Sequence, residues 1–76
     1  MPIEVLIASA EDAAAGIAEL WLDDRLLGST HMDADRGVVV EIHEGPWRLE
    51  LSELHRGLHA LEEMIASHKP GAWRAG

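Results

Sequence analysis

The chain has 76 residues, with six lysines and arginines against fourteen aspartates and glutamates, so its formal charge is −8. A chain of this length forms one domain, and without cysteine it has neither a disulfide framework nor a cysteine-type zinc site. The acidity disfavours nucleic-acid binding, because phosphate contacts require lysine and arginine. The sequence shows neither a secretory signal nor the roughly 20 consecutive apolar residues of a membrane span, so we expect a cytoplasmic protein without membrane contact.

The N-terminal segment predicts one strand followed by a connection. Residues 3–8, "IEVLIA", alternate β-branched positions with other residues, which is typical of a strand. Residues 9–16, "SAEDAAAG", follow it and are predicted to form a loop, although their alanines are compatible with a short helical turn. The position of this first strand in the sheet is left open.

The middle of the chain predicts a three-stranded meander. Residues 17–22, "IAELWL", and residues 25–32, "RLLGSTHM", flank Asp23 and Asp24. This pair predicts a tight turn, because aspartate tolerates the left-handed conformation better than most residues. A second turn leads to residues 38–43, "VVVEIH", which carry the strongest strand signal in the chain.

The C-terminal part predicts one amphipathic helix. Ser52 is the expected N-cap, and Glu53 in the first turn suits the positive end of the helix dipole. Pro70 and Gly71 are the expected stop, and residues 70–76 are predicted to be a flexible tail. Apolar residues recur at helical spacing and form one stripe: Leu54, Leu58, Leu61 and Ile65.

These elements predict a single compact domain over residues 1–69. The helix has one apolar stripe and the sheet has an apolar face, so packing them together gives a two-layer α+β fold. We expect an antiparallel β-meander of three to four strands on one C-terminal α-helix, in the order β-β-β-β-α. The alternation places three sets of residues on the face toward the helix: Ile3, Val5 and Ile7; Leu20 and Leu22; Val38, Val40 and Ile42.

The opposite face of the sheet is the predicted partner-binding surface. By alternation it carries apolar side chains with acidic ones among them, and the chain has no second long helix to cover them. Tryptophan is enriched at binding hot spots, which favours association with another protein or a homodimer. The competing interpretation is an ordinary one-sided sheet solvated by its polar groups. The predicted partner-binding residues are Ile17, Glu19, Trp21, Val39 and Glu41.

A metal site is the weaker alternative. His55 and His59 are four residues apart on the helix, and Glu62 follows three residues later on the same strip. Arg56 stands where a H-E-x-x-H motif needs glutamate, and its charge opposes a dication. Histidines at the boundary between core and solvent also occur without any ligand.

No catalytic or cofactor motif is present in the sequence. Ser29 and His31 share a strand face, but this spacing alone does not make a nucleophile and a base. There is no G-x-S-x-G elbow and no glycine-rich phosphate loop, so neither an enzyme nor a cofactor is predicted. The sequence therefore favours a small acidic interaction module, acting as an accessory, regulatory or inhibitor subunit, over a module that binds a metal or small ligand.

Overall fold

The computed structural model describes residues 3–74 and confirms the two-layer α+β class. Five strands form one antiparallel sheet in the order β4-β3-β2-β1-β5, and the C-terminal helix packs against it. Met1, Pro2, Ala75 and Gly76 lie outside the described residues, so the predicted domain and tail are compared with the structure only over residues 3–74. The elements are β1 (Ile3–Ile7), α1 (Ala10–Ala14), β2 (Glu19–Leu22), β3 (Arg25–Asp33), β4 (Gly37–Ile42), α2 (Leu51–Ala66) and β5 (Gly71–Arg74).

The predicted meander is present as β2, β3 and β4. Leu22 pairs with Arg25 across the first turn, and Asp23 adopts the left-handed conformation with φ 54°, as its side chain allows. The register of β2 and β3 shifts between Leu20 and Trp21, which marks an irregularity of the bulge type. The long β3–β4 ladder places Gly28 opposite Ile42 and continues to the second turn.

The segment predicted as a loop contains a short helix, α1. Ser9 has an extended backbone, and its Oγ accepts a hydrogen bond from the Asp12 backbone N–H at 3.1 Å. This is N-cap geometry, and it lets the alanines complete one turn of helix. Ala13 is buried, and Gly16 leaves the turn with φ 73°.

Helix α2 begins before the position that the sequence predicts. Its N-cap is Glu50, which makes no side-chain capping bond, and Ser52 lies inside the first turn. The first helical hydrogen bond runs from the Leu54 N–H to the Glu50 carbonyl, so Ser52 is already too far along the helix to cap it. Glu53 does lie in the first turn.

The C-terminal segment forms a fifth strand where a flexible tail is expected. Strand β5 pairs antiparallel with β1, with Trp73 opposite Val5, so β1 lies between β2 and β5. The Trp73 side chain is half-buried and packs against the core, which gives this segment an apolar contact that holds it on the sheet. Backbone pairing with β1 and this side-chain contact together explain why residues 71–74 form a strand.

The core lies between the sheet and the two helices. Gly57 allows α2 to pack closely over β1, because a Cβ at this position would lie 3.2 Å from Ile3 Cγ2. Neither helix in residues 3–74 is long and apolar enough to cross a membrane. The buried apolar side chains are those of Ile3, Val5, Ile7, Ala13, Ala18, Leu20, Leu22, Leu27, Ala60, Leu61 and Ile65.

Candidate partner-binding surfaces

The five predicted partner-binding residues lie on or beside the sheet face that α2 leaves open. Glu19 pairs with Ser29, which in turn pairs with Glu41, so both carboxylates lie in one row across three strands. Trp21 is in the next row on β2, and Val39 is on β4. Ile17 precedes β2 and is 43% exposed. The predicted residues of β2 and β4 therefore lie on the face of the sheet that the alternation indicates.

Polar groups on this open face interact with one another. The Trp21 Nε1–H donates to Glu19 Oε1 at 3.4 Å, and Arg74 forms an ion pair with Glu4. His31 Nδ1 lies 3.6 Å from Glu41 Oε1. The apolar members Trp21 and Val39 are only half-exposed between these pairs. A partner docking here would have to desolvate several groups that already have partners.

The other face of β4 carries apolar side chains that α2 covers only in part. Val38 and Val40 are each 37% exposed, and Ile42 is 53% exposed. They lie on the helix side of the sheet, as the sequence predicts, but α2 crosses over β1 and leaves them beside an open groove. The groove has a volume of about 390 Å³, and Val38 and Val40 line it with Leu58, Leu61 and Glu62 of α2.

Helix α2 extends this apolar exposure toward its N-terminus. Leu51 is 81% exposed and lies two turns before Leu58 on the same helix face. We refer to Val38, Val40, Ile42, Leu51 and Leu58 as the β4–α2 surface. The sequence did not predict this surface, because the alternation in β4 is typical of a strand whose apolar side chains are buried under a helix.

The two edges of the sheet differ in character. Within residues 3–74, β4 has no strand on its outer side, and its six residues carry one charged side chain, Glu41. Strand β5 has four residues, follows Pro70 and contains Arg74. Short length, proline and basic residues are features that keep an edge strand from pairing with another chain, and β4 lacks them.

The structure does not bring the three predicted metal ligands of α2 together. Among residues 3–74, no group of three or more histidine, aspartate or glutamate side chains is placed to hold a metal ion. His59 Nε2 lies 3.2 Å from Glu63 Oε1, and not beside the predicted ligand Glu62. Glu62 lines the groove beside β4, whereas His59 lines a cleft beside β5, so the two side chains diverge. His55 is exposed.

The structure pairs Ser29 with a different histidine from the one that shares its strand. Ser29 Oγ lies 3.4 Å from His43 Nε2, while His31 turns to Glu41. The Ser29–His43 contact is long and exposed. Nucleophilic catalysis requires a short contact and a third group that orients the base, and among residues 3–74 the structure shows neither for this pair.

A cleft of about 500 Å³ lies between α2 and β5. Arg56, His59, Lys69 and Trp73 are among its lining residues. The Arg56 guanidinium carbon is 6.0 Å from the centre of the Trp73 ring, within the range of a cation–π contact. We refer to this feature as the α2–β5 cleft.

No protein family, curated protein or solved structure matches this chain. Its function therefore has to be inferred from its own surfaces and their chemistry. The features with distinct chemistry are the open face around Trp21, the β4–α2 surface and the α2–β5 cleft.

Proposed function

We propose that this protein is a small interaction module that associates with other protein chains, including a second copy of itself. The observation that carries this proposal is the exposure of the β4–α2 surface, where Leu51 is 81% exposed and Ile42 is 53% exposed. Exposed apolar side chains grouped in this way are typical of association sites. The role that fits a chain of 76 residues with this surface is an accessory, regulatory or inhibitor subunit.

Self-association is supported by the character of the β4 edge. A strand with free backbone groups and few charges is a template for pairing with another strand. Two β4 strands can pair antiparallel with Val40 of one copy opposite Val40 of the other. In this register each Val38 lies opposite an Ile42, so the apolar sides of both strands are on the same face of the joined sheet. This arrangement joins the exposed apolar strips of the two copies on one side of a continuous sheet.

The open face around Trp21 is the competing docking surface. It is supported by Leu6, which is 40% exposed, and by Ile17, which is 43% exposed. The ion pairs and hydrogen bonds on this face oppose docking, because their groups lose water without gaining better partners. The β4–α2 surface carries one carboxylate in its groove, Glu62, and so has a smaller desolvation cost.

Adjacent residues of β4 allow a matched test of the two surfaces. Val40→Lys places a charge on the helix side, and Val39→Lys places the same charge on the open face. We expect the unmodified chain to dimerise with increasing concentration in size-exclusion chromatography with light scattering. We expect Val40→Lys to weaken the dimer by about tenfold or more, because it buries a charge in an apolar contact, and Val39→Lys to have a smaller effect.

The opposite ranking would place the interface on the open face, and Trp21→Ala should then also dissociate the dimer. A chain that stays monomeric at every accessible concentration would refute self-association. The metal alternative is tested in the same experiment with zinc and with EDTA: an assembly that appears only with zinc and is lost in a His55→Ala, His59→Ala variant would replace the present proposal.

A further inference from the structure

The α2–β5 cleft is opposite in charge to the rest of the chain. The protein has six basic and fourteen acidic residues, yet Arg56 and Lys69 both line this cleft. Among residues 3–74, the acidic residue that lines it is Glu63, which lies 3.2 Å from His59 and forms an ion pair with it when the imidazole is protonated. The cleft is therefore a local cationic site on an acidic protein.

The two cations of the cleft have no carboxylate partner among residues 3–74. Arg56 contacts the face of Trp73, and no ion pair joins Arg56 or Lys69 to an acidic side chain in the described part of the chain. Arg74, by contrast, is paired with Glu4 on the other side of the sheet. The guanidinium of Arg56 and the ammonium of Lys69 thus keep hydrogen-bond donors available for an external anion.

The spacing of these cations suits an extended ligand. Arg56 lies in the first half of α2 and Lys69 follows its end, so about 15 Å of helix separates their backbone positions along the axis. A peptide in extended conformation spans this distance with about five residues, so it can place a carboxylate near each of the two side chains. Trp73, which is half-buried and lines the cleft, offers an apolar surface beside Arg56.

We propose that the α2–β5 cleft binds an acidic peptide segment of a partner protein, with carboxylates on Arg56 and Lys69 and an apolar portion against Trp73. The volume of about 500 Å³ is within the range of ligand-binding clefts. At about 0.15 M ionic strength, charges more than about 8 Å away are largely screened, so the local cations outweigh the net acidity of the chain. This site is on the β5 side of the sheet and does not depend on association through β4.

The test uses a fluorescein-labelled peptide of alternating glutamate and alanine, with an alternating glutamine and alanine peptide as control. Fluorescence anisotropy measures affinity, and the indole N–H signal of Trp73 in a ¹H–¹⁵N spectrum locates the site. We expect saturable binding of the acidic peptide alone. An Arg56→Gln, Lys69→Gln variant should bind about fivefold or more weakly, as expected for the loss of two exposed charge pairs.

The matched control is Arg36→Gln, Arg48→Gln, which removes the same charge at exposed positions outside the cleft. This control should bind as the unmodified chain does, and Lys69→Gln alone should give part of the loss without touching the Arg56–Trp73 contact. Equal loss in the control, equal binding of the glutamine peptide, or the absence of saturable binding would overturn the proposal. Displacement of the peptide by inorganic phosphate with the same shift at Trp73 would overturn the extended ligand in favour of a small anion.

Discussion

Ile7 and Ile42 lie on the same side of one sheet, in strands with the same alternation of β-branched residues, and yet their environments are opposite. Ile7 on β1 is 1% exposed, whereas Ile42 on the β4 edge is 53% exposed. The difference arises from the helix, which approaches β1 closely at Gly57 and leaves β4 partly exposed. A strand pattern thus reports which face is apolar, and the position of the helix decides which part of that face is buried.

This comparison separates stability from association. The half of the sheet under α2 holds the fold together, because its side chains are removed from water in the single chain. The β4 edge contributes exposed apolar surface, which lowers the free energy of the system only when another chain covers it. Substitutions in the two parts of the sheet should therefore be distinguishable by their dependence on protein concentration.

The largest expected effect comes from a matched pair of isoleucine substitutions. Ile7→Ala should lower the free energy of unfolding by about 2–5 kcal/mol, because it leaves a cavity in the core. Ile42→Ala should cost less than about 1 kcal/mol in a dilute sample, because the side chain is more than half exposed. Urea denaturation at two protein concentrations measures both.

The concentration dependence makes the comparison sharper. If association buries Ile42, the cost of Ile42→Ala should grow as concentration rises, while that of Ile7→Ala should change little. Equal costs for both substitutions in a dilute monomer would contradict the division of the sheet into a covered part and an exposed β4 edge.

A smaller effect is expected from Gly28→Ala, which tests how β4 is held on the sheet. A Cβ at Gly28 would lie 2.5 Å from the Glu41 carbonyl oxygen, so β3 and β4 would have to move apart. We expect a loss of about 1–3 kcal/mol in unfolding free energy. Amide hydrogen exchange should show the loss of protection concentrated in β4, and Ser29→Ala on the same strand is the control, with an expected effect within about 0.5 kcal/mol.

The sequence was sufficient where one local signal decided the outcome. The meander, the Asp23 turn and the apolar stripe of α2 each follow from residue type and spacing, and they are present in the structure. The residues of the open face on β2 and β4 also follow from alternation, so the positions of Glu19 and Trp21 were predictable.

The sequence was insufficient where a tertiary contact decided the outcome. Strand β5 depends on pairing with β1, which is some 70 residues away, as the Glu4–Arg74 hydrogen bond shows. The exposure of Val40 depends on where α2 crosses the sheet, and the α2–β5 cleft exists only because β5 forms. The spacing of His55 and His59 suggested a shared ligand, but side-chain partners such as Glu63 are set by packing that spacing alone does not determine.

The smallest expected effect concerns the turn that leads from α2 into β5. His68 has φ 51°, and the Lys69 N–H bonds to the Met64 carbonyl at 2.9 Å, which is the C-terminal arrangement that glycine favours. His68→Gly should therefore stabilise the fold by about 1 kcal/mol, because glycine adopts positive φ without a steric cost. Lys69→Gly is the matched control: Lys69 does not have positive φ, so the change should destabilise by about 0.5–1 kcal/mol through the entropy of the unfolded chain. If both glycine substitutions lower the stability in thermal denaturation, the left-handed turn is absent in solution. The connection that positions β5 beside β1 would then be absent as well.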